Sequence, residues 1–125
     1  MLGRIVFGAL MLMDVAGSTL AASTHDFYRG KTVHILVGAS AGGAFDTWGR
    51  MLGRHLGKHI SGNPSVVVEN VTGAGGLILA NQVYKSTRAD GLTIATFNGS
   101  LLMGQILGRP GIEFDARRFE YLGVP

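Results

Sequence analysis

Apolar and polar positions fall into blocks along this chain, and each block has the length of one structural element. Residues 32–37 (Thr-Val-His-Ile-Leu-Val) are a short run rich in β-branched side chains, which predicts a buried strand. Gly38-Ala39-Ser40-Ala41-Gly42-Gly43 follows and predicts a loop. Next, Phe45, Trp48, Leu52, Leu56 and Ile60 recur at three- and four-residue spacing, the apolar face of a helix. Asp46 sits in its first turn and Lys58 and His59 in its last, where each charge suits the helix dipole.

The cycle then repeats. Pro64 introduces a valine-rich second strand, Ser65 to Glu69, and Gly73-Ala74-Gly75-Gly76 forms a second glycine loop before a helix over Leu77 to Lys85. Asp90-Gly91 marks a turn, Leu92 to Phe97 a third strand, and Asn98-Gly99-Ser100 a third loop ahead of a short helix, Leu101 to Leu107. Arg109-Pro110-Gly111 breaks that helix, and Phe119 to Val124 reads as the start of a fourth strand. Strand–helix alternation predicts an α/β fold with a parallel sheet flanked by helices. In such sheets ligands bind beyond the carboxyl ends of the strands, where all three glycine-bearing loops fall.

Composition narrows the function classes. With 46% hydrophobic and 15% charged residues, the 125-residue chain has enough apolar material for one small core. Its net charge of +3 is dispersed, without the concentrated basic face that nucleic-acid binding needs. It has no cysteine, which excludes disulfides, thiolate metal sites and a cysteine nucleophile. At the N-terminus, Arg4 precedes a mostly apolar stretch, Ile5 to Val15, interrupted by Asp14, and the small-residue segment Gly17 to Ala22 follows. This pattern predicts a secretory signal peptide over residues 1–22, cleaved near Ala22, ahead of a domain over 23–125. The apolar stretch is too short for a permanent membrane span.

Several motifs carry candidate chemistry. Gly38-Ala39-Ser40-Ala41-Gly42 is a literal G-x-S-x-G, the nucleophile elbow of α/β-hydrolases. Against that use, the histidines after Ser40 (His55 and His59) and the acid between (Asp46) share one predicted helix and cannot surround the serine. A serine hydrolase stays as the alternative from another class. No dinucleotide or phosphate-loop glycine pattern is present, so no cofactor is expected. His55 and His59 have a spacing that can hold a metal but lack an evident third ligand, so no metal is expected either. Gly49, Gly53 and Gly57 line up on the first helix, and their cost to helix stability calls for a close packing partner. The strand-end loops themselves are either tight turns or small-residue nests that bind an anion through backbone N–H groups, and glycine serves both uses.

Taken in order, these segments resemble one family. Val37 to Asp46 followed by Arg50, then Val66-Val67-Val68-Glu69-Asn70 with Gly73-Ala74-Gly75-Gly76, then Ala89-Asp90-Gly91, Phe114-Asp115 and Phe119 are similar to the Bug-type extracytoplasmic solute receptors of tripartite tricarboxylate transporters. The resemblance covers nearly all of residues 28–125 and implies part of the first lobe of a two-lobed, periplasmic-binding-protein-like fold. It further implies a non-enzymatic periplasmic receptor that binds a small organic acid and delivers it to membrane permease subunits, or an inactive truncated remnant of one. Carried over by position, the implied ligand-binding residues are Ser40, Ala41, Gly42, Gly43, Phe45 and Asp46 in the first loop and helix start, with Asn98, Gly99 and Ser100 in the third loop. A carboxylate at Asp46 would repel an anionic ligand, so bonding to loop or helix amides, or to an amino group of the ligand, suits it better. Ser40-Ala41 and Ala44-Phe45 depart from the family's proline- and glycine-rich loop, and they place a bulky ring at its mouth.

Overall fold

A computed structural model describes residues 27–123. The expected signal segment, residues 1–22, lies outside them. The architecture is α/β: a three-stranded, fully parallel sheet in the order β2-β1-β3, flanked by helices. The strands are β1 (Thr32–Val37), β2 (Ser65–Asn70) and β3 (Thr93–Thr96), and the helices are α1 (Ala44–Leu56), α2 (Leu77–Lys85) and α3 (Ser100–Ile106). Single 3₁₀ turns follow α1 at Gly57–His59, precede α2 at Ala74–Gly76, and lie near the C-terminal end at Ala116–Arg118.

β1 is central because it is the most apolar strand. Val33, Ile35 and Val37 are all at most 1% exposed. In register, Ile35 pairs with Val68 and with Ile94, and Val37 with Asn70 and Thr96, so one face of the sheet carries this odd-numbered β1 row. α1 covers that face. On the other face Ala80 of α2, Leu101 of α3 and Phe114 form a buried cluster, closed by Phe97 and Phe119. Ring centroids of the three phenylalanines lie 5.6–6.4 Å apart, within the range where aromatic pairs attract.

α1 meets the sheet by a face other than that of Phe45, Trp48 and Leu52, while Leu56 and Ile60 of the expected stripe are half-buried. The residues turned inward are Asp46, Gly49 and Gly53, spaced i, i+3 and i+7 on one helical face. A Cβ on Gly49 would lie 2.8 Å from Val37 Cγ2, and one on Gly53 would lie 2.7 Å from Val68 Cγ2. One on Gly57 would lie 2.6 Å from the Pro64 carbonyl oxygen. The sheet is therefore the packing partner that the glycine spacing calls for. Phe45, Trp48 and Leu52 are left 36%, 53% and 45% exposed on the flank. Close backbone approach wins over burial of the large side chains because Asp46 also points inward, bonded to Gly42, Arg50 and Asn70. The remaining differences are at the ends. No strand forms among residues 119–123, because the 3₁₀ turn at Ala116–Arg118 leads into irregular backbone there.

The glycine contact is testable. In an exposed helix, Gly→Ala stabilises by about 1 kcal/mol. Here Gly49→Ala should instead destabilise by about 1–3 kcal/mol, because its methyl meets a stiff, fully buried valine. Denaturant titration of Gly49→Ala beside the exposed control Met51→Ala reads the difference; a stabilised Gly49→Ala would contradict the packing.

Candidate functional site

The loops after the three strands meet at one edge of the sheet. β1 sits between β2 and β3, and its chain crosses to β2 by α1 on one face, while β2 crosses to β3 by α2 on the other. The carboxyl ends of β1 and β3 therefore lie at a topological switch point, where α/β sheets open a crevice. A crevice of about 230 Å³ lies at that edge. Gly38, Ala39 and Ser40 line it from the end of β1, and Phe45 from the first turn of α1. Thr72, Gly73 and Gly75 line it from the loop after β2, and Asn98 from the loop after β3.

Two glycines bring the loops this close. A Cβ on Gly38 would lie 3.1 Å from Gly76 Cα and 3.1 Å from Phe97 Cβ. Gly76 has φ +92, and a Cβ there would lie 3.1 Å from the Gly38 carbonyl oxygen. Any larger residue at either position pushes the β1 and β2 loops apart. Gly73 in turn holds φ +132, a conformation that side chains rarely adopt.

Asp46 holds the first loop in place. It is 3% exposed, and both its oxygens are taken up by protein donors. The Gly42 N–H donates to Oδ2 at 2.8 Å, and Arg50 Nε donates to the same oxygen at 2.9 Å. Asn70 Nδ2 donates to Oδ1 at 2.9 Å and also to the Ala39 carbonyl at 2.9 Å. Arg50 Nη2 closes the network by donating to Asn70 Oδ1 at 3.0 Å. The first loop, the first turn of α1 and the last residue of β2 are thus bound through one carboxylate. The Arg50 hydrogen bond, then the Gly42 N–H and the Asn70 carboxamide, hold its carboxyl down to about 2.

The expected site residues separate into two groups. Ser40, Phe45 and Asn98 come together on the crevice lining. Ala41, Gly42, Gly43, Asp46, Gly99 and Ser100 do not line it. Gly42 has committed its N–H to Asp46, and the Ser100 N–H is donated to Asn98 Oδ1 at 2.9 Å, which fixes the start of α3. Thr72, Gly73 and Gly75 join the lining instead. Their signal in the sequence was the loop's position after a strand, the same signal as for the other two loops. Among the described residues, no protein group pairs with the Ser40 and Thr72 hydroxyls or with Asn98 Nδ2, so these donors are open to solvent at the crevice.

Ser40 does not adopt the strained turn of a nucleophile elbow. Its φ is not positive, and α1 begins only at Ala44. His55 lies near the far end of α1, roughly 16 Å along the axis from the helix start by the 1.5 Å rise per residue. His59 lies beyond it, in the following 3₁₀ turn. A second, larger groove of about 310 Å³ runs between α1 and β2, lined by Arg50, Gly53, Arg54, Val66 and Val68. It is not at the strand ends, and Arg50 there is already bound to Asp46 and Asn70. No family model, curated protein or solved structure matches this chain.

The Asp46 network has a pH signature. Its folded carboxyl titrates below the ordinary unfolded value of about 3.9, so its stabilisation is present above about pH 4 and is lost as pH falls toward 2. Asp115, held low by Arg117, adds to the same acid slope. Asp46→Asn should therefore flatten, without abolishing, the fall in thermal midpoint between pH 4 and 2. It should also lower the midpoint at pH 7. An acid slope unchanged from wild type would rule out the network as described.

Proposed function

We propose that this chain forms the ligand crevice of a periplasmic solute receptor, one that captures a small organic carboxylate and delivers it to membrane permease subunits. The observation that carries it is the strand-end crevice with uncommitted hydroxyl and carboxamide donors, Ser40, Thr72 and Asn98, on three separate loops. Donors on separate loops around one crevice suit a compact acceptor group such as a carboxylate, which offers two oxygens with several lone pairs. Ser40, Thr72 and Asn98 on the lining are exposed to solvent, which suits capture by closure of a second lobe, as the family resemblance implies. Delivery to a permease and the periplasmic setting rest on that resemblance and on the signal-like N-terminus.

The test is a thermal-shift panel of acetate, benzoate, succinate and citrate on the purified chain. A ligand at 100 times its Kd stabilises by about 2.7 kcal/mol. At least one acid should raise the midpoint, and Ser40→Ala should reduce that rise while leaving the unliganded midpoint near wild type. A flat panel contradicts the proposal. So does turnover of a p-nitrophenyl ester that Ser40→Ala abolishes, which would mark a hydrolase.

A further inference from the structure

From an open sheet edge beside a cationic helix flank we infer that the groove between α1 and β2 docks an extended, acidic segment of a partner protein, which adds to β2 as a further strand. The groove shares no lining residue with the strand-end crevice, so this surface and the proposed receptor site are tested separately.

The edge comes first. Among the described residues β2 pairs with β1 alone. The Ser65 N–H donates to the Lys31 carbonyl at 3.1 Å, and the Val71 N–H to the Val37 carbonyl at 2.9 Å. Backbone groups alternate sides along a strand. Ser65, Val67 and Glu69 therefore turn theirs to β1, and Val66, Val68 and Asn70 turn theirs outward. Among the described residues no protein group pairs with these outward N–H and C=O groups. Within β2 no proline, lysine or bulge blunts the edge, the devices that usually stop another strand from adding. The same two valines place their side chains under α1, in the groove of about 310 Å³. One pair of residues thus supplies both an apolar floor and a hydrogen-bonding rim.

Charge selects the occupant. Arg50 and Arg54 line the groove, and Lys58 follows Arg54 by one helical turn on the same flank. Arg50 is met by Asp46 at 2.9 Å, whereas Arg54 and Lys58 are exposed and have no partner among the described residues. A strand laid along β2 turns every second side chain to the α1 face, where these cations stand. Acidic side chains at those positions pair with Arg54 and Lys58 while the backbone pairs with Val66 and Val68. Phosphates of a nucleic acid or a lipid would meet the cations but only accept hydrogen bonds, so the outward carbonyls would gain no donor. A second copy fits worse. Antiparallel pairing of two β2 edges would set two α1 flanks side by side, cation against cation.

Fluorescence anisotropy of labelled peptides with the full chain, at low and at high salt, tests the docking. The probe is a short capped peptide alternating Glu and Val. Its controls carry Lys in place of Glu, or the same Glu–Val sequence N-methylated along its backbone. The Glu–Val peptide should bind and the Lys–Val peptide should not. Backbone N-methylation should weaken binding by roughly tenfold or more, because the edge hydrogen bonds are lost. Arg54→Glu combined with Lys58→Glu should keep the thermal midpoint near wild type and weaken the Glu–Val peptide by roughly tenfold, with a larger effect at low salt. Amide shifts in the chain should centre on Val66, Val68 and Asn70. Equal binding of the N-methylated and plain peptides, or no effect of the charge reversal, overturns the inference. So does tighter binding of oligothymidylate or of phosphatidylglycerol vesicles than of the peptide, or no peptide binding at low salt.

Discussion

A carboxylate removed from water needs partners for both oxygens, and at Asp46 those partners come from three different parts of the chain. Gly42 belongs to the first loop, Arg50 to the next turn of the same helix, and Asn70 to the end of the neighbouring strand. Breaking such a network leaves an uncompensated buried charge, which is far more damaging than its formation is favourable. This one group therefore ties together the path of the first loop, the rotation of α1 and the end of β2.

The helix rotation has further consequences. With Asp46 turned inward, positions three and seven residues later must also face the sheet, and only glycine fits against Val37 and Val68 at that distance. Phe45, Trp48 and Leu52 of α1 are carried to the flank, and Phe45 reaches the crevice lining. The first loop, its Gly42 amide already bonded, presents Ser40 to the crevice. Among the described residues the crevice lining is polar and small, with no cationic side chain and one ring. Its chemistry follows from what the clamp has taken up as much as from what it leaves.

The layered α/β fold was legible because strand and helix periods are local, and Thr32–Val37, Ser65–Asn70 and Leu77–Lys85 carry them plainly. The placement of the site at the strand ends followed from the same order. The facing of α1 was not legible from its apolar period. That period ranks positions by burial gain, whereas the real packing is set by Asp46 and by backbone proximity at Gly49 and Gly53. Asn70 illustrates the limit most clearly. Its bonds reach 24 and 31 residues back along the chain, to Asp46 and Ala39, and no local pattern encodes such contacts. The apolar residues at 119–124 have the pattern of a fourth strand, but a strand needs a partner edge as well as a pattern, and residues 119–123 do not pair.

Amide chemical-shift mapping during a benzoate titration tests the central claim most directly, because it locates the ligand without presuming its affinity. The account predicts shifts concentrated at Ala39, Ser40, Phe45, Thr72, Gly73, Gly75 and Asn98, with Arg54 and Val66 in the other groove unmoved. Shifts centred on Arg54 and Val66, or none at all at saturating acid, would contradict it.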